Sequence, residues 1–433
     1  MGRFLIIAMC NLRQSTKRTL LLGSAIAGVT MLLVLLGGLT NGIEQTMLRA
    51  ATTLSTGHVN IGGFYKVTSG QAAPIVTNYK PLLELARKEV PEIRHVVDRV
   101  RGWGRVVSHK TTLQLGYLGV DIRDEAGIRE VLEVLDGSLD DLRNPDTLMI
   151  CESQSKKLDV GVGDKITLSA PTFRGAYNSV DVTVVAVVKE VGMISKWNVI
   201  MPKETVRKLY LMGGDATGAI QLYLTDPDDS DEVGERLRKA VADAGYRIME
   251  PLAEPFWRKF GVVTREAWTG QKIDVTTWKD ELQFMQWTIK GFKSLTAMLI
   301  FVLMIIIVIG VMNSLWMSIR ERTREIGTLR AIGMGRFSVL VMFVMEAAIL
   351  SIGATIVGAA IGLLATGVIN AMEISLSEAF QVFLMRDTLL LAVDPFNVLK
   401  SIAIICTITT LFSLYPSYRA TRMKPITAIS HVG

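Results

Sequence analysis

Two stretches without a charged side chain, 19–43 and 294–319, constrain this chain more than any other feature of it. Each exceeds the roughly 20 residues that an α-helix needs to cross a bilayer core. A backbone in lipid must satisfy its own hydrogen bonds, so both runs are predicted to be transmembrane helices. After Arg336 the chain stays apolar to Met372 apart from Glu346, and 401–418 is again uncharged. The expected fold is therefore an α-helical membrane protein with four transmembrane helices, at 19–43, 294–319, 338–370 and 399–417. A large α+β domain, 44–289, is inserted between the first two. Basic Arg13, Lys17 and Arg18 precede the first run as they would a secretory signal. The run is longer than the roughly 7 to 15 residues of a signal core and no clean small-x-small site follows, so it is read as a retained helix.

Orientation follows from the basic residues. Segments 1–18, 320–337 and 418–433 hold twelve Lys and Arg, against only Glu321 and Glu325. These three segments are expected on the cytoplasmic side, with 44–289 and the short loop 371–398 outside. The stretch 44–289 has 31 basic and 34 acidic residues, so the net charge of +6 belongs to the inner face. It is a topology signal and gives no reason to expect nucleic acid. Cys10, Cys151 and Cys406 fall in three different compartments of this layout, so no structural disulfide is expected.

The external stretch alternates strand and helix patterns. Strands with turns are expected at 57–63 and 100–122, a strand, short helix, Gly turn and second strand along "TLMICESQSKKLDVGVGDKITLSA" at 147–170, further strands at 180–191 and 219–226, an α/β pattern at 198–212, and helices at 79–93 and 231–245. The remainder to 289, with Trp257, Trp268, Trp278 and Trp287 among charges, reads as a helical stalk leading into the second span. In the third span, Gly358 and Gly362 have the GxxxG spacing, extended by Gly353, Ala354 and Gly367. Such a face lets another helix backbone approach closely, within or between subunits; the alternative is that glycine is simply common in membrane helices.

Catalytic motifs are missing from the sequence. Neither "GVGDK" at 161–165 nor "GTLRAIGMGR" at 327–336 has the GxxxxGK[ST] spacing of a phosphate-binding loop. His58, His95, His109 and His431 form no HExxH and no Cys/His cluster of metal-ligand spacing, so no cofactor or metal site is expected. Glu346 is the one acid deep in a span. It is read as a helix-packing or helix-end contact, since a proton relay would need several such groups.

The segment 319–333 can be helical, with Ile319, Ile326, Leu329 and Ile332 forming a drifting apolar stripe among charges. It fits either a solvated loop that sets orientation or an amphipathic helix laid into a partner's groove. "RERTREIGTLRAIGMGR" resembles the signature of the FtsX/MacB family of ABC-transporter permeases. The tail "YPSYRATRMKPITAIS" is similar to that family's ending at Pro416, Ala420, Pro425 and Ala428, with Ser417 where alanine is usual. "NGIEQTMLRAATTLSTGHVNI" resembles the lipoprotein-releasing, Lol-type branch, in which an Asn-Gly pair ends the first helix and a GHV-type strand opens the external domain.

The resemblance implies a non-catalytic permease. A separate ATPase subunit dimer, which binds ATP and Mg, would dock on 320–337 through Glu321, Arg322, Glu325, Ile326, Gly327, Leu329, Arg330 and Gly333. The helices would pass its motion to the external domain. It also implies a second permease, either a copy or a paralogue, and a lipoprotein substrate drawn from the inner-membrane lipid. Asn41, Gly42 and Met47 would border the entry. A periplasmic carrier or adaptor would be recruited near the hairpin 169–181, which is shorter than the recruiting loop of the Lol-type branch; an ordinary turn is the alternative there. Two other outcomes stay open: MacB-like extrusion of peptides, toxins or small amphiphiles, and an FtsX-like scaffold that activates a periplasmic enzyme.

Overall fold

A computed structural model describes residues 9–14, 16–68, 71–172, 175–377, 380–381 and 384–422. Contacts divide the chain into two units, one of Met1–Gln45, Ile289–Ser375 and Thr388–Gly433, the other of Thr46–Thr288 and Leu376–Asp387.

The first unit is built from four long helices, Thr16–Ala51, Gln283–Glu321, Arg336–Ala371 and Pro395–Thr421, each long and apolar enough to cross a membrane. They pack through Leu22, Ile26, Leu33, Ile307, Val311, Ala354 and Ile405, while Leu21, Ile306, Leu364 and Leu411 point outward, as lipid-facing side chains should. The first helix does not stop at Asn41–Gly42, as the resemblance implied. It runs on to Ala51 and into a single π-helical turn, Thr52–Thr56. Gly42 serves close approach there: a Cβ at this position would lie 1.9 Å from the Leu390 carbonyl oxygen. The extended segment around Leu390 is clamped by Asn370, whose side-chain amide exchanges two 2.9 Å hydrogen bonds with the Leu391 backbone.

The second unit is an eleven-stranded α+β structure with two cores. Its strands are β1 (Val59–Thr68), β2 (Gln71–Ala73), β3 (Ile93–Val107), β4 (Thr112–Val120), β5 (Val134–Gly137), β6 (Thr147–Cys151), β7 (Lys165–Pro171), β8 (Tyr177–Val188), β9 (Asn198–Pro202), β10 (Ala219–Leu224) and β11 (Gly270–Thr277). One core lies where Val59, Ile61, Ile220, Leu222, Ile273 and Val275 of the β11–β1–β10–β3 sheet meet helices Lys80–Glu89 and Ser230–Asp243. The alternation is strict, so the opposite face of the same strands carries Asn60, Gln221, Asp274 and Thr276, all buried.

The other core lies inside a closed circuit of pairings, β3–β4–β9–β6–β8–β7 and back to β3. Closure leaves these strands without a free edge. Val100, Val106, Leu148, Ile150, Val182, Val184 and Val199 fill the interior, and helix Lys203–Tyr210 contributes Val206 and Leu209. β3 serves both cores: residues 93–99 pair with β10, and residues 100–107 pair with β4.

The predicted helical stalk is replaced by helix Phe256–Val263, strand β11 and helix Trp278–Glu281. β11 pairs with β1 along Val59–Lys66, a partner some two hundred residues earlier in the chain. Local sequence could not reveal that pairing, whereas burial of Ile273 and Val275 enforces it. Of the four tryptophans, Trp278 is buried, the Trp268 ring has the ammonium groups of Lys66 and Lys272 at 5.0 and 4.8 Å from its centre, and Trp257 and Trp287 are exposed. The hairpin 169–181 is formed by β7 and β8, and its tip at 173–174 lies outside the described residues.

Candidate functional site

The 318–336 segment folds as a short helix, Thr323–Ala331, separated from the second long helix by one residue, Arg322. Its end is a Schellman motif: Gly333 N–H donates to the Arg330 carbonyl at 3.2 Å and Met334 N–H to the Leu329 carbonyl at 3.0 Å. The motif needs a left-handed residue, and Gly333 supplies φ of 105°.

The structure splits the predicted stripe. Ile326 is buried with Ile319, Val339, Met342, Phe343 and Ala420. Gly327 is also buried, and Arg330 donates to the Thr421 carbonyl at the end of the fourth helix at 3.0 Å. Glu325, Leu329 and Ile332 face outward, with Ile332 80% exposed and neighbouring Phe337 75% exposed. Residues 325, 329 and 332 share one helical face. Of the sequence-predicted set, Arg322, Ile326, Gly327 and Arg330 thus hold the helix in place, while Glu325 and Leu329 are presented outward. Glu321 is exposed and paired with Arg18 at 3.2 Å.

Behind the helix lies a cluster that sequence reasoning reached only in part. Glu346 is 3% exposed and accepts hydrogen bonds from Arg18 at 3.2 Å and Arg322 at 3.4 Å. Asn11 and Phe337 were not singled out from the sequence, and Arg18 was read only as part of the basic flank of the first span. A usable signal existed for Arg18: an intramembrane acid requires a partner, and Arg18 lies at the same end of the bundle.

Gly358 and Gly362 pack against the first helix of the same chain. Their Cβ positions fall 2.3 Å from the Ala27 carbonyl oxygen and 3.0 Å from Val34 Cβ. This resolves the choice between packing within or between subunits for these two glycines. None of the expected entry residues, Asn41, Gly42 and Met47, is exposed in this chain. Met47 is 1% exposed and Gly42 is covered by Leu390, which leaves only Asn41 half-buried.

The polar face of the first external sheet forms a second buried cluster. The Arg99 guanidinium makes two 2.6 Å bonds to Glu125, one of 2.7 Å to the Thr53 carbonyl and one of 3.3 Å to Tyr223. It thereby ties the π-turn to β3 and β10. Lys259 pairs with Asp274 at 2.7 Å, and Glu281 accepts from Thr276 and from the Phe256 amide. Burial raises the carboxyl pKa of Asp274 and Glu281 and the phenol of Tyr223, partly offset by Lys259, Arg101 and Arg99 respectively. His58 is held at about 4, chiefly by burial and then by neighbouring His95. Among the described residues no His, Cys, Asp and Glu group has the makings of a metal site.

Four apolar helices with a large α+β domain following the first define a multi-pass membrane protein. The MacB-like periplasmic core domain matches residues 19–240 and the FtsX-like permease C-terminal domain matches 297–425. The chain belongs to the FtsX/MacB family of ABC-transporter permeases. It is similar to the macrolide export ATP-binding/permease protein MacB of Pasteurella multocida, 30% identical over 153 residues, covering 34% of this chain and 21% of that protein. It also resembles the pyoverdine export ATP-binding/permease protein PvdT of Pseudomonas fluorescens, 33% identical over 124 residues, covering 28% and 16%. A MacB from Bdellovibrio bacteriovorus is 24% identical over 259 residues, covering 59% and 35%. The matches therefore span well under half the length of these relatives. Among solved structures, the periplasmic region of MacB from Actinobacillus actinomycetemcomitans aligns at 18% identity over 43% of this chain and 83% of that one, with a TM-score of 0.29. The extracellular domain of the transporter YknZ from Gram-positive bacteria aligns at 15% identity over 49% and 98%, with a TM-score of 0.30.

Proposed function

We propose that this chain is the membrane subunit of an ABC exporter whose ATPase docks on the outward face of helix Thr323–Ala331. The carrying observation is that face itself: Glu325, Leu329 and Ile332 stand out from a helix secured from behind by Ile326, Arg322 and Arg330. A loop that only set orientation would have no need of an exposed apolar ridge on a braced helix. ATP and Mg would be bound by the partner, since no phosphate-binding loop occurs in these 433 residues. On this reading the 318–336 segment and both termini are cytoplasmic, the domain 46–288 is periplasmic, and the complex contains two permeases and two ATPase subunits. The test is a pull-down from mild detergent. Glu325→Lys combined with Leu329→Asp should cut co-purification of a Walker-motif ATPase at least tenfold while the protein stays in the membrane. Full retention would overturn the docking assignment.

For cargo, the "NG…GHVNI" resemblance supports extraction of lipoproteins from the inner membrane for transfer outward, with or without a periplasmic carrier. Depletion of the chain should then leave lipoproteins in the inner membrane; normal sorting would refute it. A second reading, export of small amphiphiles through an adaptor, is favoured by the named activities of the relatives, macrolide and pyoverdine export. Co-purification of a tunnel-forming adaptor together with normal lipoprotein sorting would select it.

A further inference from the structure

The two oxygens of the Glu346 carboxylate go to different helices. Oε1 accepts from Arg18 Nη2 of the first long helix at 3.2 Å, and Oε2 accepts from Arg322 Nη1 at 3.4 Å. Arg322 is the residue that caps the short helix, with φ of −102° and ψ of 15°, and therefore the point about which that helix would tilt. Its second nitrogen donates to the Asn11 carbonyl at 3.0 Å. One buried carboxylate thus joins the pivot of the outward helix to the start of the first long helix, with Glu321 closing the set through Arg18 at 3.2 Å.

Helix packing alone does not call for this arrangement. Replacing a buried ion pair by well-packed apolar side chains is often neutral or stabilising, and ionic groups are best attested as devices for register and switching. Directional bonds follow a displaced partner, whereas an apolar contact slides. Beside the triad lies a cavity of about 20 Å³ bordered by Arg18, Ser318, Glu346 and Thr409. The hydroxyls of Ser318 and Thr409 are buried and have no hydrogen-bonding partner among the described residues. The cavity is also lined by Leu22, Ile26, Val311 and Leu350, but at the polar end formed by Arg18, Ser318, Glu346 and Thr409 a space of this size accommodates a water molecule, which would let the ion pairs shift without leaving a charge bare.

We propose that Arg322 and Glu346 are positioning residues that convert tilt of helix Thr323–Ala331 into displacement of the N-terminal end of the first long helix. The inference rests on the docking assignment above, because the docked ATPase supplies the tilt. Arg322 moves with its helix, Glu346 follows, and Arg18 and Asn11 are drawn along.

Cys10 provides a native probe, since it is exposed and adjacent to Asn11, whereas Cys151 is buried and Cys406 lies within the fourth long helix. In the full chain co-purified with its ATPase, the labelling rate of Cys10 by a water-soluble maleimide would be followed by mass spectrometry of its peptide, without nucleotide and with ATP plus vanadate. The wild type should change at least threefold between the two states. Glu346→Gln should retain the ATPase but reduce that change to less than 1.5-fold. Arg322→Lys keeps the charge but replaces the two separate nitrogens that reach Glu346 and Asn11 by one ammonium on a flexible stem; it should at least halve the response, and it serves as the second arm if Glu346→Gln fails to accumulate. An unchanged nucleotide response in either variant, or none in the wild type, overturns the inference while leaving docking intact. Failure of any ATPase to co-purify with the wild type removes the docking assignment and this inference with it.

Discussion

Substituting Gly358 by alanine tests the close approach of the first and third long helices most directly. The added methyl would sit 2.3 Å from the Ala27 carbonyl oxygen and 2.8 Å from Ala27 Cα. Ordinary contact requires about 3.4 Å, so the helices must part by roughly 1 Å, because the obstructing atoms are backbone and cannot rotate aside. Overpacking of this kind costs about 1–3 kcal/mol, against a helix-propensity gain of about 1 kcal/mol for removing a glycine. Gly353 on the same helix is the internal control, since nothing lies within 4 Å of its Cβ position. Gly353→Ala should be neutral or stabilising, and because the propensity gain is common to both variants they should differ by the overpacking cost alone, about 1–3 kcal/mol. Urea unfolding of the detergent-solubilised chain, followed by circular dichroism at two protein concentrations, measures the difference. Contact within one chain predicts a gap independent of concentration. Equal stability of the two variants would refute the packing assigned to Gly358.

Three further outcomes follow from the external unit and the short helix. Glu125→Gln strips Arg99, which is 0% exposed, of its carboxylate partner and should lower the unfolding free energy of the external unit by about 3–5 kcal/mol, read from a urea titration. His58 accepts a hydrogen bond from the Leu224 amide and titrates at about 4 instead of 6.5. The unfolded chain therefore takes up a proton first as pH falls, and the stabilisation from neutral His58, complete above 6.5, is lost as pH drops towards 4. That contribution is on the order of 3 kcal/mol, and comparing wild type with His58→Gln at pH 7.5 and pH 4.5 should show the variant losing less. Gly333→Ala forces a Cβ into the left-handed region at about 1–2 kcal/mol, so amide exchange across Thr323–Ala331 should accelerate roughly tenfold; unchanged protection would mean that the helix end is not set by Gly333.

Much of the architecture was legible because its signals are local. The uncharged runs announced the long helices, and "TLMICESQSKKLD" announced a strand followed by a helix, realised as Thr147–Cys151 and Glu152–Leu158. β11 was not legible, because its strand character comes from β1, which lies far off in sequence. The closed circuit of β3, β4, β9, β6, β8 and β7 was hidden for the same reason, since no local pattern states which strands meet. At the outward helix, the stripe of Ile319, Ile326, Leu329 and Ile332 mixes inner and outer positions. Periodicity gives the spacing of apolar residues but not which side finds a core, and here Val339, Phe343 and Ala420 claim Ile326 while leaving Leu329 and Ile332 uncovered. Glu346 was conspicuous as an acid in a span; its partners Arg18 and Arg322 come from two other helices that only the fold brings together.

The two cores of the external unit share β3, and the chain leaves the first core and returns to it at almost the same point. Gly218 N–H donates to the Arg99 carbonyl at 3.0 Å, so departure at Val100 and return at Gly218 are joined by a hydrogen bond. Everything in the second core, from Val100 to Leu209, lies within that excursion. Glu125 lies inside the excursion and carries two of the bonds to Arg99, so the excursion can be lengthened, shortened or exchanged without disturbing the first core's sheet only where a carboxylate is kept at this point. A chimera exchanged at residues 100 and 217 that keeps this carboxylate should therefore fold around an unaltered first core, whatever segment fills the second.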